Sequence, residues 1–205
     1  MVRRALIRAA LAAFLATGPA FAYVEGWPAL YDVVNVAEDD VLNVREDPSA
    51  SAYIFGELKP GEVVEVIDEN PEGTWALVNS GEAAGWVSKR YLRRLGEQLD
   101  GDYPEITVCG GTEPFWDLTR RDGNITFESF SGDMPPVTEP LIREGTAMGN
   151  RHRYAFRTSN MIGIVSREYC HDGMSDRAFG LEINLILDKE GYHMNGCCSI
   201  LPREE

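Results

Sequence analysis

The chain has 205 residues, 44% of them hydrophobic and 25% charged, with a formal net charge of −14. That is a globular composition, long enough for one large domain or two small ones; it excludes a disordered tail, a collagen and a disulfide-dense miniprotein. So acidic a surface repels phosphate backbones and anionic lipid, which argues against nucleic-acid binding.

Residues 1–22 read as an export signal. Arg3, Arg4 and Arg8 form a basic start, Leu6 to Ala16 an apolar stretch broken only by Arg8, and Gly18-Pro19 a helix break. Ala20-Phe21-Ala22 fits an A-x-A cleavage site, with the cut before Tyr23. The apolar run is too short to cross about 30 Å of hydrocarbon, so no stable membrane anchor is expected after cleavage. No cysteine lies near the cut, which disfavours a lipid-anchored form. Cleavage removes three arginines and no acid, taking the charge from −14 to −17. The mature chain is expected in the periplasm or outside the cell, where disulfides persist.

Short runs of alternating apolar residues, punctuated by Pro and Gly, predict strands throughout. The first set is Val33 to Val36, Val41 to Val44, Ile54 to Leu58, Val63 to Ile67, Trp75 to Val78 and Gly85 to Ser88. Residues 96–104, GEQLDGDYP, read as a linker. Beyond it, Phe115 to Thr119 and Asn124 to Glu128 flank a hairpin signal at Asp122-Gly123. Ser131 to Pro136 reads as a loop. Tyr154 to Thr158 and Met161 to Val165 form another strand pair. Leu181 to Leu187 and Tyr192 to Cys198 flank a last turn. The expected fold is all-β. A small barrel over 23–95 is followed by a disulfide-stabilised antiparallel barrel or sandwich over 105–205.

The first domain carries an ordered set of motifs. These are Leu42-Asn43-Val44-Arg45, Pro48-Ser49, the run Gly56 to Val64, Trp75-Ala76-Leu77-Val78, Gly85-Trp86-Val87-Ser88 and Tyr91-Leu92. In this order they resemble the bacterial SH3 (SH3b) family over about residues 30–95. The resemblance implies an SH3-like barrel and a non-enzymatic module that binds cell-wall or envelope peptides. Tyr31, Tyr53, Trp75, Trp86 and Tyr91 are the aromatic candidates for its groove, the ordinary alternative being that the two tryptophans are core. Glu38-Asp39-Asp40 reads as a solvated acidic turn.

The mature chain has four cysteines, Cys109, Cys170, Cys197 and Cys198, all in the second domain. An even count in an exported chain predicts two disulfides. Adjacent residues of a strand face opposite ways, so Cys197 and Cys198 take different partners. Both 109–197 with 170–198 and 109–198 with 170–197 satisfy that. No C-x-x-C or H-x-x-x-H spacing accompanies His152, His171 and His193, so no metal or other cofactor is expected.

Two motifs stand out: Cys109-Gly110-Gly111-Thr112-Glu113-Pro114-Phe115-Trp116, and Cys170-His171-Asp172-Gly173-Met174-Ser175-Asp176-Arg177. Together they resemble a family of exported bacterial proteins with EPFW and C-x-D-G-M-S-D-R motifs, over about residues 106–200. That resemblance implies export and lends no activity. Asp-Gly-x-Ser-Asp reads as a hydrogen-bonded turn, with Arg177 pairing Asp176 or Glu113. Of Phe115 and Trp116, on opposite faces of a strand, one should be core while the other could roof a pocket. Glu113, Trp116, Asp172, Asp176 and Arg177 are therefore the binding candidates here. Ser175 lacks a nucleophile elbow, and no catalytic residue is assigned.

The leading expectation is an exported, non-enzymatic protein whose SH3b module recognises a wall or envelope peptide and whose second domain binds an unknown ligand or protein partner. A small acidic barrel that inhibits a basic hydrolase is one version of this. The alternatives are a wall hydrolase using Asp172, Asp176 or His171, and a structural accessory protein with Tyr31 and Tyr53 occluded between domains.

Overall fold

The computed structural model describes Gly26, residues 28–96, Gln98, and residues 105–132 and 134–201. The export signal, its cleavage junction and the linker other than Gly96 and Gln98 lie outside the described residues. No helix among the described residues is long and apolar enough to cross a membrane.

The N-terminal part is built from β1 (Ala29–Val33), β2 (Leu42–Arg45), β3 (Ile54–Leu58), β4 (Val63–Val66), β5 (Asp68–Glu69), β6 (Trp75–Ser80), β7 (Ala83–Ser88) and β8 (Leu92–Arg94). They form two sheets, of order β4-β1-β8 and β3-β2-β7-β6-β5. Strict alternation sends Tyr31, Val33, Val44, Val64, Val66, Ala76, Val78 and Val87 into one core. The first strand runs Ala29–Val33, ahead of the expected Val33 to Val36 and sharing only Val33 with it, and the chain leaves the strand as Asn35 turns to φ 58°. Gly85 is required beneath Phe55, whose Cζ would lie 2.4 Å from an added Cβ.

The C-terminal part is a single antiparallel sheet. Its strands are β9 (Val108–Thr112), β10 (Phe115–Arg121), β11 (Asn124–Ser129), β12 (Val137–Pro140), β13 (Arg143–Ala147), β14 (Asn150–Arg157), β15 (Met161–Ser166), β16 (Leu181–Leu187) and β17 (Tyr192–Ser199). The order is β12-β11-β10-β9-β17-β16-β15-β14-β13. Consecutive strands are thus neighbours, β17 returns beside β9, and the only consecutive pair left unbonded is β12 and β13, the sheet's two edges. The sheet curls into a half-barrel, the barrel form of the expected second domain.

Side chains close the open side. Arg120 of β10 clasps Glu144 of β13 with two bonds of 2.6 and 2.9 Å. Glu139 of β12 accepts from Thr158 Oγ1, Ser159 Oγ and Asn160 N–H in the β14–β15 turn. Desolvation alone would raise the Glu139 pKa; these bonds outweigh it and lower it. The expected hairpin turns at Asp122 and Gly123, both with φ > 0, so Arg120 and Arg121 lie in the strand and not in the loop.

The half-barrel core holds Trp116, Leu118, Ile125, Phe127, Tyr154, Phe156, Met161 and four apolar residues of β16. Each such side chain contributes about 1.5–3 kcal/mol by leaving water. Trp116 lies against Gly111, where an added Cβ would meet its Nε1 at 2.2 Å and Asn195 O at 2.8 Å. That contact explains the second glycine of the Gly-Gly before the EPFW segment. Gly111→Ala is expected to cost about 1–3 kcal/mol through overpacking, read as a lower urea midpoint.

Candidate functional site

Cys198 and Cys109 face inward on neighbouring strands and are joined, with Cα atoms 3.9 Å apart. Cys197, one residue earlier, faces outward and is joined to Cys170. The pairing is therefore 109–198 with 170–197, one bond on each side of β17. The outer bond ties a strap, residues 170–180, to the outside of the half-barrel. The strap is also pinned where Cys170 and Phe179 exchange backbone hydrogen bonds of 2.8 and 3.0 Å.

Inside the strap, Asp172 accepts from Met174 N–H, Ser175 N–H and the Ser175 hydroxyl, at 2.8–2.9 Å. Desolvation raises the pKa of its carboxyl, but these three bonds together lower it. This is the hydrogen-bonded turn expected from Asp-Gly-x-Ser-Asp. Thr112 Oγ1 donates to the Asp172 carbonyl at 2.8 Å, joining the EPFW hairpin to the strap.

The strap also holds the first domain. Asp176 N–H donates to Glu82 O, and Ala84 N–H donates to Asp176 O, at 3.0 and 2.8 Å. Asn79 receives Ala178 N–H and donates to Ala178 O, at 3.0 and 2.8 Å. A second tie lies deeper: Glu65, on β4, reaches across to accept from the Ser199 hydroxyl and from Ile200 N–H. Burial pushes the Glu65 carboxyl up to about 7, even though Ser199, the Ile200 and Leu201 amides and the Arg177 charge all oppose the shift.

Between these ties lies a cleft of about 670 Å³. Its floor is the outer face of β9, β10 and β17, including Gly110, Phe115 and Cys197. One wall is β4 and the β6–β7 turn, and the other is the strap with Met174 and Arg177. The Arg177 guanidinium carbon sits 5.6 Å from the Phe179 ring centre. Its Nε is shielded from solvent and has no hydrogen-bond partner among the described residues.

The sequence candidates separate into three groups. Tyr31 and Trp116 are core side chains, 4% and 1% exposed, and present no surface. Tyr31 alternates inward with Ala29 and Val33, and Trp116 with Leu118, so neither can line a groove. Asp172 and Arg177 line the cleft, with Asp176 beside them in the strap but outside the lining, and Arg177 pairs with neither Asp176 nor Glu113. Asp176 is used through its backbone, and Glu113 is exposed in the turn between β9 and β10, where its bond to Pro114 is cis. Phe115, half exposed, lines the cleft in place of Trp116.

Trp75, Trp86, Tyr53 and Tyr91 belong to the first domain alone. Trp86 and Trp75 face outward, opposite in sense to the buried Val87 and Ala76. The register sets Arg45, Trp86, Leu77 and Asp68 in one row across four strands, with Trp75 diagonal to Trp86. Tyr53 is 71% exposed beside this sheet's edge strand, β3. Tyr91 is partly buried against the first core, with Arg90 over its ring.

His171 Nδ1 accepts from Gly173 N–H and His193 Nε2 meets Asn184. Among the described residues no cluster of three or more His, Cys, Asp or Glu is arranged to hold a metal. Sequence reasoning missed Glu65 and Asn79 as interdomain contacts. Glu65 had a signal, being the one charge inside the apolar run Val63 to Ile67. Asn79 had none.

Residues 40–93 match the family described as the bacterial SH3 domain. The chain is also 27% identical over 143 residues to YrvJ of Bacillus subtilis (strain 168), a protein provisionally named an N-acetylmuramoyl-L-alanine amidase. That alignment covers 70% of this chain and 26% of the relative, so the chain spans about a quarter of the length of the protein it matches. No solved structure matches it. The barrel strands, the motif order and the family match agree, and residues 40–93 of this chain are a bacterial SH3 domain.

Proposed function

We propose that this is an exported cell-wall-binding protein whose SH3 domain recognises a wall peptide on the outer face of β2, β5, β6 and β7. Two disulfides and a bacterial SH3 domain fit an exported chain. The observation that carries the reading is the outward row of Arg45, Trp86, Leu77 and Asp68, with Trp75 beside it. A partly exposed apolar strip with a cation at one end and an anion at the other suits a peptide bearing both charges. The SH3 core does not need these side chains, since Val44, Ala76, Val78 and Val87 fill it.

Hydrolysis at Asp172 or Asp176 is the second reading, favoured by the name of the Bacillus relative. Against it, Asp172 spends both oxygens on its own turn, which lowers its pKa and leaves a poor general acid. The accessory reading expects Tyr31 and Tyr53 to be occluded between the domains; Tyr31 is buried, but in the SH3 core, and Tyr53 is open.

Co-sedimentation of the oxidised chain with purified sacculi tests the proposal. Salt-tolerant binding is expected, and Trp75→Ala/Trp86→Ala should weaken it by about tenfold or more, as loss of aromatic anchors does. A variant that folds and sediments like the natural chain would sink this face as the binding surface.

A further inference from the structure

We propose that the cleft between the SH3 domain and the half-barrel is a second binding site, for a zwitterion of amino-acid or dipeptide size whose carboxylate is received by Arg177. The volume of about 670 Å³ is within the range of small-ligand sites. Among the described residues Arg177 is the only cation lining it, and its shielded Nε has no hydrogen-bond partner. A guanidinium with free donors matches a carboxylate as a two-pronged fork.

The rim decides the rest of the ligand. Glu62, Glu65 and Glu82 stand on the SH3 wall, Glu65 within electrostatic reach of Arg177, and Asp117 and Asp172 stand on the half-barrel side. A simple anion would meet net repulsion on the way to Arg177, whereas a ligand carrying an ammonium beside its carboxylate satisfies both signs. Phe115 and Met174, 50% and 65% exposed at the mouth, offer an apolar body something to cover.

The strap gives this site its rigidity. Arg177 lies between Asp176 and Ala178, both hydrogen-bonded to the SH3 domain, so its backbone is held from two sides. The site therefore exists only when the two domains are docked. It is distinct from the Trp75–Trp86 face, and neither depends on the other.

Calorimetric titration of the oxidised full chain with alanyl-phenylalanine tests the assignment, beside the N-acetylated and C-amidated forms of the same dipeptide. The free dipeptide is expected to bind saturably and each blocked form at least about tenfold more weakly, the size of effect a charge-assisted hydrogen bond carries. Arg177→Gln should lose the preference for the free carboxylate, Arg177→Lys should restore part of it, and Trp75→Ala/Trp86→Ala should leave it unchanged. An amide spectrum of Arg177→Gln matching the natural chain outside the strap shows that the fold is intact. No saturable binding, equal binding of either blocked form, or natural affinity in Arg177→Gln would overturn the proposal. None of these outcomes bears on sacculus binding, which reads the other face.

Discussion

Glu65→Gln is expected to be more stable than the natural chain at pH 8, and equal to it near pH 4.5. The carboxyl titrates at 4.5 in its ordinary state and at about 7 in the fold, because burial disfavours its charge. The folded state thus binds the proton more tightly than the unfolded state. Stability is fully present below pH 4.5, declines as pH rises toward 7, and is flat above, a loss of about 3 kcal/mol. Glutamine keeps one oxygen to accept from the Ile200 amide and turns its NH2 toward the Ser199 hydroxyl oxygen, as the O–H of the protonated carboxyl would, without carrying a charge, so the variant should lack this decline. Urea unfolding at pH 4.5, 6 and 8 measures it. The same slope in both proteins would mean that Glu65 is hydrated and that the domains are not docked at Ser199.

The opposite trend is expected lower on the scale. Asp32, Glu139 and Asp172 have lowered pKa values, each held by hydrogen bonds or, for Asp32, chiefly by Arg93. Their contribution is present above the ordinary carboxylate range and is lost as pH falls through their folded values. Greatest stability should lie between the two regimes, near pH 5.

Loss of the inner disulfide, as Cys109→Ala/Cys198→Ala, is expected to cost the half-barrel about 4–5 kcal/mol, since the bond closes a separation of 89 residues. The outer bond closes 27 residues and should be worth about 3–4 kcal/mol. The two variants should differ in kind as well. Removing 109–198 opens the core, because Cys198 and Cys109 belong to its apolar cluster. Removing 170–197 frees the strap, so Asn79 and Asp176 should lose amide protection while the strands of the half-barrel keep theirs. Chemical denaturation combined with hydrogen exchange separates these outcomes. Equal protection along the strap in both would show that Cys170–Cys197 is not what holds it.

The strands were legible where one face is buried. β16 alternates strictly, and its predicted bounds, Leu181 to Leu187, are those of the structure. β12 and β13 were not legible, because the open edges of a curled sheet are solvated and carry no apolar period; Val137–Pro140 even ends on proline. The turn at Asp172 could be read from its residue types, since Asx turns are local. The separate faces of Cys197 and Cys198 followed from strand geometry, but the choice of partner depends on where the strap crosses the sheet, which is a tertiary fact. The same limit applies to the cleft. Arg177 was singled out, yet its neighbours Glu65 and Ser199 are 134 residues apart, and no local pattern joins them.

The most direct measurement is an amide NMR titration of the oxidised chain with soluble wall muropeptides, with the fragments followed in the same tube. Saturable shifts are expected at Arg45, Asp68, Trp75, Leu77 and Trp86, with the fragments recovered unchanged. Unmoved signals on that face would contradict wall recognition by the SH3 domain, and cleaved fragments would contradict a protein that binds without catalysis.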